Sequence, residues 1–208
     1  KKSGMKVMTG TEVTEVKTGA KGCKVSWKDK KGKEGTIDCD IVLSAVGVIS
    51  NIEGIGLEDV GVATDKGKIM VNDHYETNIP GVFAIGDCVP GQALAHVASA
   101  EGIICVEKIV GQNPEPLDYG NIPGCTYCSP EVASVGMTEK AAKEAGYELK
   151  VGKFPFSASG KAKAAGHADG FVKLIFDAKY GELLGGHMIG YNVTELIAEI
   201  VAVRKLET

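Results

Sequence analysis

The sequence predicts an α/β region followed by an α+β unit. Two apolar runs that end in glycine, at residues 40–47 and 82–86, have the composition of short buried strands whose carboxyl ends face a ligand crevice. Helical spacing follows over residues 93–110, and the polar, proline-containing segment 112–116 then marks a boundary. Beyond that boundary, period-two runs alternate with helical ones, as in a compact α+β unit.

The first third of the chain alternates between polar and apolar residues. Period-two patterning covers residues 6–8, 11–17, 23–27 and 36–38, separated by glycine and lysine turns. This pattern predicts a β-meander that leads into the apolar run at 40–47. That run is expected to be a buried parallel strand.

A single carboxylate follows the second apolar run. A turn at residues 78–81 leads into a predicted strand at 82–85, which breaks at Gly86 and presents Asp87. The next helix, expected to start near Ala93, directs free N–H groups and a partial positive charge at whatever lies beyond Asp87. An anionic or electron-rich ligand edge fits that position.

The last 90 residues or so carry strand and helix signals in alternation. Strands are predicted at 125–127, 132–135, 148–156, 171–177 and 182–189. Thr138 is expected to cap a helix over 139–145, and Thr194 is expected to cap a final helix that stops at Thr208. The apolar side chains expected to face inward from the final helix are Leu196, Ile197, Ile200, Val201 and Val203.

Composition argues against several classes of protein. The net charge is −4, and the basic residues are scattered apart from a turn at Lys28 to Lys33, which disfavours a nucleic-acid surface. No run of eighteen apolar residues and no signal peptide occur, so we expect neither a membrane protein nor a secreted one. The six irregularly spaced cysteines, Cys23, Cys39, Cys88, Cys105, Cys125 and Cys128, do not form a secreted disulfide framework.

The pair Cys125 and Cys128 has the spacing of a redox disulfide or half a zinc site. A redox pair needs a helix N-terminus directly after it, and here Ser129 and Pro130 intervene. A zinc site needs two further ligands at suitable spacing, and the sequence offers none. We therefore favour a structural role for both thiols and predict no metal site.

Residues 77–87, Thr-Asn-Ile-Pro-Gly-Val-Phe-Ala-Ile-Gly-Asp, resemble the second flavin fingerprint of the pyridine nucleotide-disulfide oxidoreductases. The resemblance implies that Asp87, after Gly86, accepts a hydrogen bond from a ribityl hydroxyl of FAD. It also implies that Leu94, Ala95 and His96 form the flavin-contacting helix start, with the Ala95 backbone near the pyrimidine edge. For His96, a structural role is the alternative to acid–base chemistry.

The same resemblance implies a wall of an NAD site. The strand end in such enzymes lies against the nicotinamide cofactor, and the residues that match it are Ala45, Val46, Gly47 and Val48. Val13 matches the position whose backbone meets the adenine. Ser50, before Asn51, stands where proline is common in the family, and ordinary strand packing is the alternative interpretation of these positions.

Residues 127–139 resemble part of the dimerisation domain of the dihydrolipoamide dehydrogenases. They contain the run Pro-Glu-Val-Ala-Ser-Val-Gly, which is closer to that family than to the glutathione reductases. Further matches lie at 170–177, 184–186 and 189–195. The resemblance implies partial FAD- and NAD-binding domains followed by an α+β dimerisation domain, and thus a homodimer. The resemblance implies three divisions of the chain. Residues 1–53 are the C-terminal part of an NAD-binding domain, residues 54–118 are a central FAD-binding segment, and residues 119–208 are the dimerisation domain.

The chemistry of such an enzyme is not in this chain. It contains no Gly-x-Gly-x-x-Gly motif, because Gly54 and Gly56 are not followed by a third glycine at position 59. It also contains no Cys-x4-Cys motif, and no histidine follows His187. We expect the rear half of a dihydrolipoamide dehydrogenase, cut at its C-terminus, with no catalytic residue and no activity of its own. Another flavin disulfide reductase of the mercuric or glutathione type, or a non-catalytic dimerisation module, is the alternative.

The complete enzyme, as the resemblance implies, passes electrons from dihydrolipoyl groups through a disulfide and FAD to NAD. Its implied partners are a second copy of itself and the lipoyl-bearing proteins of 2-oxoacid dehydrogenase or glycine cleavage complexes. The expected compartment is the bacterial cytoplasm or the mitochondrial matrix.

Overall fold

The computed structural model describes residues 4–206, which divide into two units between Ile49 and Ser50. No helix in this range is long and apolar enough to cross a membrane. Thr208, at which we expected the last helix to stop, lies outside the described residues.

The first unit is built on a three-stranded antiparallel sheet. Its strands are β1 (Thr11–Gly19), β2 (Gly22–Asp29) and β3 (Glu34–Cys39), in the order β1-β2-β3. The Oδ1 atom of Asp29 accepts the N–H groups of Lys31 and Lys33 at 2.8 and 2.9 Å, which shapes the lysine-rich turn before β3. The predicted meander is therefore confirmed, except that residues 6–8 form no strand.

The prediction of a buried parallel strand at 40–47 is wrong for this structure. These residues form no strand, and the side chains of Ile41, Leu43 and Val46 are 84%, 88% and 95% exposed. A strand that is apolar on both faces requires hydrogen-bonded neighbours and covering layers. Within residues 4–49 the chain provides neither, because β3 pairs only with β2.

The second unit begins with short elements around a small core. They are α1 (Leu57–Val60), β4 (Thr64–Asp65) and β5 (Lys68–Ile69), and the buried core residues are Ile52, Val62 and Ile69. The longer helix α2 (Ala95–Ile109) follows them in the chain. The predicted strand at 82–85 is wrong, because only a single bridge forms, between Glu76 and Phe83. One turn of 3-10 helix, Gly86–Cys88, follows it.

The rest of the second unit is a five-stranded antiparallel sheet with helices. Its strands are β6 (Gly124–Thr126), β7 (Glu131–Gly136), β8 (Leu149–Pro155), β9 (Phe171–Asp177) and β10 (Leu183–Gly190), in the order β6-β7-β10-β9-β8. Its helices are α3 (Glu139–Glu144), α4 (Gly160–Ala164) and α5 (Val193–Leu206). Helix α5 packs on β7 and β10 around a core that includes Val135, Met188 and Ile197. All five predicted strands are present, with ends shifted by at most one residue.

The helix ends of this sheet unit follow the prediction in part. Thr138 caps α3, since its Oγ1 accepts the N–H of Ala141 at 3.1 Å, and Gly146 after the helix has φ +87°. Thr194 does not cap α5, because it lies inside the helix, and Asn192 accepts the N–H groups of the next turn. Leu196 does not face inward, since it is 38% exposed.

Candidate functional site

The loop that carries Asp87 is held in place through its backbone. Gly86 has φ +74°, a conformation that favours glycine, and the carbonyl oxygen of Asp87 accepts Ser50 Oγ at 2.6 Å and Lys68 Nζ at 2.5 Å. The Asp87 side chain is exposed, and among residues 4–206 its carboxylate has no hydrogen-bond partner. The backbone is therefore fixed while the carboxylate remains available to a ligand.

Helix α2 begins beside this loop without a side-chain cap. Leu94 is its extended N-cap residue, and the first helical bond runs from the N–H of Ala98 to the Leu94 carbonyl at 3.0 Å. The N–H groups of the first turn, which includes the exposed residues Ala95 and His96, thus lack helical acceptors. Such an end attracts negative charge. The helix starts two residues later than the predicted Ala93.

Small residues let the loop and the helix approach each other. A Cβ atom on Gly86 would lie 3.2 Å from the Cβ of Ala98, and a Cβ on Gly102 would lie 3.2 Å from Cδ1 of Ile85. The residues of α2 that meet this loop, Ala98 and Gly102, are therefore small. The structure brings Gly86, Asp87 and the start of α2 together in one unit.

A buried carboxylate behind the loop was missed at the level of sequence. Glu101 is 1% exposed, and its Oε2 accepts the Gly86 N–H at 2.6 Å. Its Oε1 accepts the Tyr119 hydroxyl at 2.6 Å, and that hydroxyl lies 3.3 Å from the hydroxyl of Tyr75. A signal for it exists in the sequence, since Glu101 lies four residues from both Val97 and Cys105 on the buried face of α2.

The two tyrosines beside Glu101 are held in their neutral form. Burial, together with the hydrogen bond to Glu101, raises the pKa of Tyr119 far above its ordinary value. Burial likewise raises the pKa of Tyr75, which is 3% exposed and has φ +67°. Positive φ at a buried aromatic residue is unusual and marks a position that its surroundings determine. Both phenols thus remain protonated at neutral pH.

The residues predicted to contact NAD all lie in the first unit. Val13 is 58% exposed and sits in β1 where the pairing with β2 shifts register. Residues 45–48 have no regular secondary structure; Val46 and Val48 are 95% and 82% exposed, and Gly47 has φ +110°. The strand end on which this part of the prediction depended is absent. Their role toward a nucleotide stays a prediction.

All six cysteines are free thiols, in surroundings that differ between the two members of the Cys-x-x-Cys pair. Cys125 is partly buried with its Sγ 3.9 Å from the Thr194 carbonyl oxygen, whereas Cys128 is exposed with its Sγ 3.1 Å from that of Pro130. In the part of the chain that the structure describes, no cluster of three or more His, Cys, Asp and Glu side chains could hold a metal ion.

The site around Asp87 suits a ligand that carries hydroxyl groups and an electron-rich edge. An exposed carboxylate accepts hydrogen bonds from hydroxyls, and an uncapped helix end stabilises negative charge. The exposed Ala95, with its small side chain, leaves the backbone at the helix start open to close approach. These features fit the ribityl chain and ring of a flavin.

Two family models match the chain. Residues 1–102 match the pyridine nucleotide-disulphide oxidoreductase model, and residues 122–208 match the model of the dimerisation domain of the same family. Together they cover the Asp87 loop, the start of α2 and the whole five-stranded sheet.

Curated relatives carry a consistent description. The chain is 50% identical over 208 residues to a dihydrolipoyl dehydrogenase from Rhizobium etli, covering 100% of this chain and 43% of the relative. It is 44% identical over 207 residues to the dihydrolipoyl dehydrogenase of Mycobacterium leprae, covering 99% of this chain and 44% of that one. The leghemoglobin reductase of Glycine max is 44% identical over 200 residues, with coverages of 95% and 38%. The chain thus spans less than half the length of these relatives.

Solved structures share the fold. The crystal structure of LpdA from Mycobacterium tuberculosis matches with a TM-score of 0.89 at 24% identity, over 99% of this chain and 44% of that one. The flavoprotein disulfide reductase RclA from Escherichia coli matches with a TM-score of 0.81 at 21% identity, with coverages of 93% and 44%. These likenesses establish the fold, a mixture of α/β and α+β parts.

Proposed function

The chain belongs to the pyridine nucleotide-disulphide oxidoreductase family, and from this premise we propose that it is the C-terminal part of a dihydrolipoyl dehydrogenase. The observation that carries the proposal is the 50% identity to a dihydrolipoyl dehydrogenase over all 208 residues. Members of this family use FAD and NAD. The flavin, when bound, carries two electrons between a dithiol–disulfide pair and the nicotinamide.

In this proposal, the Asp87 loop and the start of α2 form one wall of the FAD site. The Asp87 carboxylate accepts a ribityl hydroxyl, and Gly86, directly before it, belongs to the same wall and lets the loop pack closely on α2. Leu94, Ala95 and His96 lie at the helix end that faces the ring. That end stabilises negative charge there by ~0.3–1 kcal/mol, or up to ~2 kcal/mol where water is excluded. The uncapped start of α2 and the unpaired Asp87 carboxylate support this assignment.

The NAD contacts are assigned to the first unit. Val13 meets the adenine through its backbone, and Ala45, Val46, Gly47 and Val48 lie against the nicotinamide half. The exposed apolar surface at 41–49 supports this assignment, because an unpaired apolar run of this kind requires a covering partner. The corresponding division of the chain is 1–53 for NAD binding, 54–118 for FAD binding and 119–208 for dimerisation.

A homodimer formed largely by residues 119–208 is part of the same proposal. The match of residues 122–208 to a dimerisation-domain model supports it. Sedimentation of the purified chain at micromolar concentration should give twice the monomer mass. A monomer at that concentration would contradict the proposed role of this segment. The wider partners are lipoyl-bearing proteins of 2-oxoacid dehydrogenase or glycine cleavage complexes, in the bacterial cytoplasm or mitochondrial matrix.

The 208-residue chain is proposed to be inactive by itself. Of its six cysteines, no two have the Cys-x4-Cys spacing of the redox disulfide expected beside the flavin. It has no Gly-x-Gly-x-x-Gly loop for either dinucleotide, and no histidine after His187 to exchange protons with a dithiol. The chain then supplies walls and a dimer scaffold, and none of the atoms that react.

Flavin content tests the proposal. The longer gene product that carries this chain should purify with stoichiometric FAD, whereas the 208-residue chain should hold none. Asp87→Ala in the longer product should weaken FAD binding by about tenfold or more, the effect of losing a hydrogen bond to a charged group. Asp59→Ala, at an exposed carboxylate of α1, is the matched control. Stoichiometric flavin on the 208-residue chain, or equal affinity in both variants, would refute this assignment.

A further inference from the structure

The geometry points to Glu101 as the positioning residue of the flavin site, which fixes the Asp87 loop from behind and ties it to the five-stranded sheet unit through Tyr119. The inference rests on the proposed FAD site and adds a residue to it. Glu101 does not touch the ligand in this account. It acts through Gly86, whose conformation decides where the Asp87 side chain points.

A short hydrogen bond joins Glu101 to Gly86. Glu101 Oε2 accepts the Gly86 N–H at 2.6 Å, and Gly86 has φ +74° at the entrance to the 3-10 turn that contains Asp87. An N–H bound to a charged acceptor is held more strongly than one bound to a neutral carbonyl. This bond fixes the orientation of the Gly86 peptide from the buried side of the loop. The Asp87 carboxylate lies on the solvent-exposed side.

Burying the Glu101 carboxylate costs desolvation free energy. Glu101 is 1% exposed, and within residues 4–206 it forms no salt bridge. A buried charge without a cation is a poor source of stability, and an apolar side chain would pack there at less cost. A carboxylate at position 101 provides two hydrogen-bond acceptor oxygens at a fixed distance from each other. One oxygen accepts the N–H of Gly86 in the loop, and the other accepts the Tyr119 hydroxyl.

Tyr119 lies in a turn that is hydrogen-bonded to helix α5 of the sheet unit. Tyr119 belongs to a 3-10 turn, Tyr119–Asn121, and the next carbonyl, that of Gly120, accepts Arg204 Nη1 at 2.8 Å. Arg204 Nη1 also donates to Asn121 Oδ1 at 2.7 Å, and Asn121 Nδ2 donates to the Val201 carbonyl at 3.1 Å. Hydrogen bonds on either side of the Tyr119–Gly120 backbone thus connect the Asp87 loop to the end of α5. Arg204 of α5 therefore contacts the turn that carries Tyr119, and the Tyr119 hydroxyl in turn contacts Glu101.

A double-mutant cycle on FAD affinity tests the inference in the longer gene product. Glu101→Gln keeps the size of the side chain and removes its charge and one acceptor, and Glu107→Gln, on the same helix, is the matched control. Glu101→Gln should raise the FAD dissociation constant about tenfold, as expected for a weakened hydrogen bond to a charged group. In an Asp87→Ala background the same change should raise it less than about twofold, because the two residues act as one unit. Tyr119→Phe should behave like Glu101→Gln with a smaller effect.

A second readout needs no flavin. Amide hydrogen exchange of Gly86 in the 208-residue chain should be slow in the original sequence and in Glu107→Gln. It should be at least about tenfold faster in Glu101→Gln, since a weaker acceptor lowers the protection of that N–H. Urea unfolding of the same variants shows whether any change reflects general loss of stability.

The outcomes separate the two claims. Failure of Asp87→Ala to weaken FAD binding would refute the proposed site, and Gly86 exchange would still decide whether Glu101 holds the loop. If Asp87→Ala weakens binding while Glu101→Gln has no effect, or has an equal effect in both backgrounds, the positioning role is overturned. Unchanged Gly86 exchange in Glu101→Gln overturns it as well.

Discussion

The hydroxyl of Thr194 donates to Oε2 of Glu131 over 2.7 Å, and the backbone N–H of the same threonine reaches that oxygen at 3.2 Å. One carboxylate at the start of β7 thus satisfies two donors in the first turn of α5. This pair holds the helix against the sheet at the end opposite to Arg204, which donates to the Leu183 carbonyl at 3.2 Å.

Replacing Thr194 by valine should destabilise the sheet unit. Thr194→Val removes the hydroxyl donor from a partly buried carboxylate while keeping the shape of the side chain. The free energy of unfolding should fall by about 1–2 kcal/mol. Urea unfolding followed by circular dichroism measures it, and Thr126→Val, at an exposed position of β6, should change it by less than about 0.5 kcal/mol. Equal effects of the two substitutions would show that the Glu131 contact contributes nothing.

The Glu139 carboxylate should make stability depend on pH in the acid range. Hydrogen bonds from Lys143 and Lys173, at 2.7 and 2.6 Å, lower its pKa from 4.5 to about 2. Because the folded-state pKa is depressed, the stabilisation is complete above pH 4.5 and is lost as pH falls toward 2. Melting temperatures of the original chain and Glu139→Gln should therefore differ at neutral pH and converge in acid. A difference that persists at the acid end would contradict this account.

Gly170 should tolerate no side chain. Its φ is +113°, and a Cβ atom there would lie 1.8 Å from the carbonyl oxygen of Ile189 in β10. Gly170→Ala should lower the free energy of unfolding by at least about 3 kcal/mol, since backbone strain adds to overpacking. Gly152→Ala in β8 is the control, because a Cβ there meets no atom of residues 4–206 within 4 Å. A loss below about 1 kcal/mol for Gly170→Ala would show that β9 and β10 can separate at this point.

The apolar segment at 41–49 should change its accessibility with its context. Leu43, Val46 and Ile49 are 88%, 95% and 94% exposed in this chain. Limited proteolysis should cut the purified 208-residue chain there, because exposed backbone without sheet partners is readily cleaved. In the longer gene product this segment is proposed to be covered, and the same protease should therefore leave it intact. Equal cutting of both proteins would count against the proposed NAD-binding wall.

Sequence patterns predicted the elements that depend on local contacts. The meander of β1, β2 and β3, the cap at Thr138 and the five strands of the second sheet follow from alternation and turn residues close in the chain. Thr194 failed as a cap because Asn192, with φ +58°, already accepts the first helical bonds, and the Thr194 hydroxyl is used by a glutamate 63 residues away. No local pattern shows such a contact.

The remaining errors have a common physical cause. An apolar run predicts burial, but whether a strand forms depends on neighbours that the run does not contain. Residues 40–47 and 82–85 lack those neighbours in the described structure and form, at most, a single bridge. Glu101 was missed for the opposite reason, since a glutamate on an apolar helix face is ordinarily exposed, and only the fold shows that Gly86 and Tyr119 meet it.

Turnover with dihydrolipoamide tests the central claim most directly. The longer gene product, purified with its flavin, should reduce NAD when dihydrolipoamide is supplied, and the 208-residue chain should not. A glutathione disulfide assay on the same samples provides the comparison with another member of the family. Reduction of NAD by dihydrolipoamide at enzymatic rates is the result that the account predicts. A flavin-loaded product that does not oxidise dihydrolipoamide but reduces glutathione disulfide would contradict the proposed function.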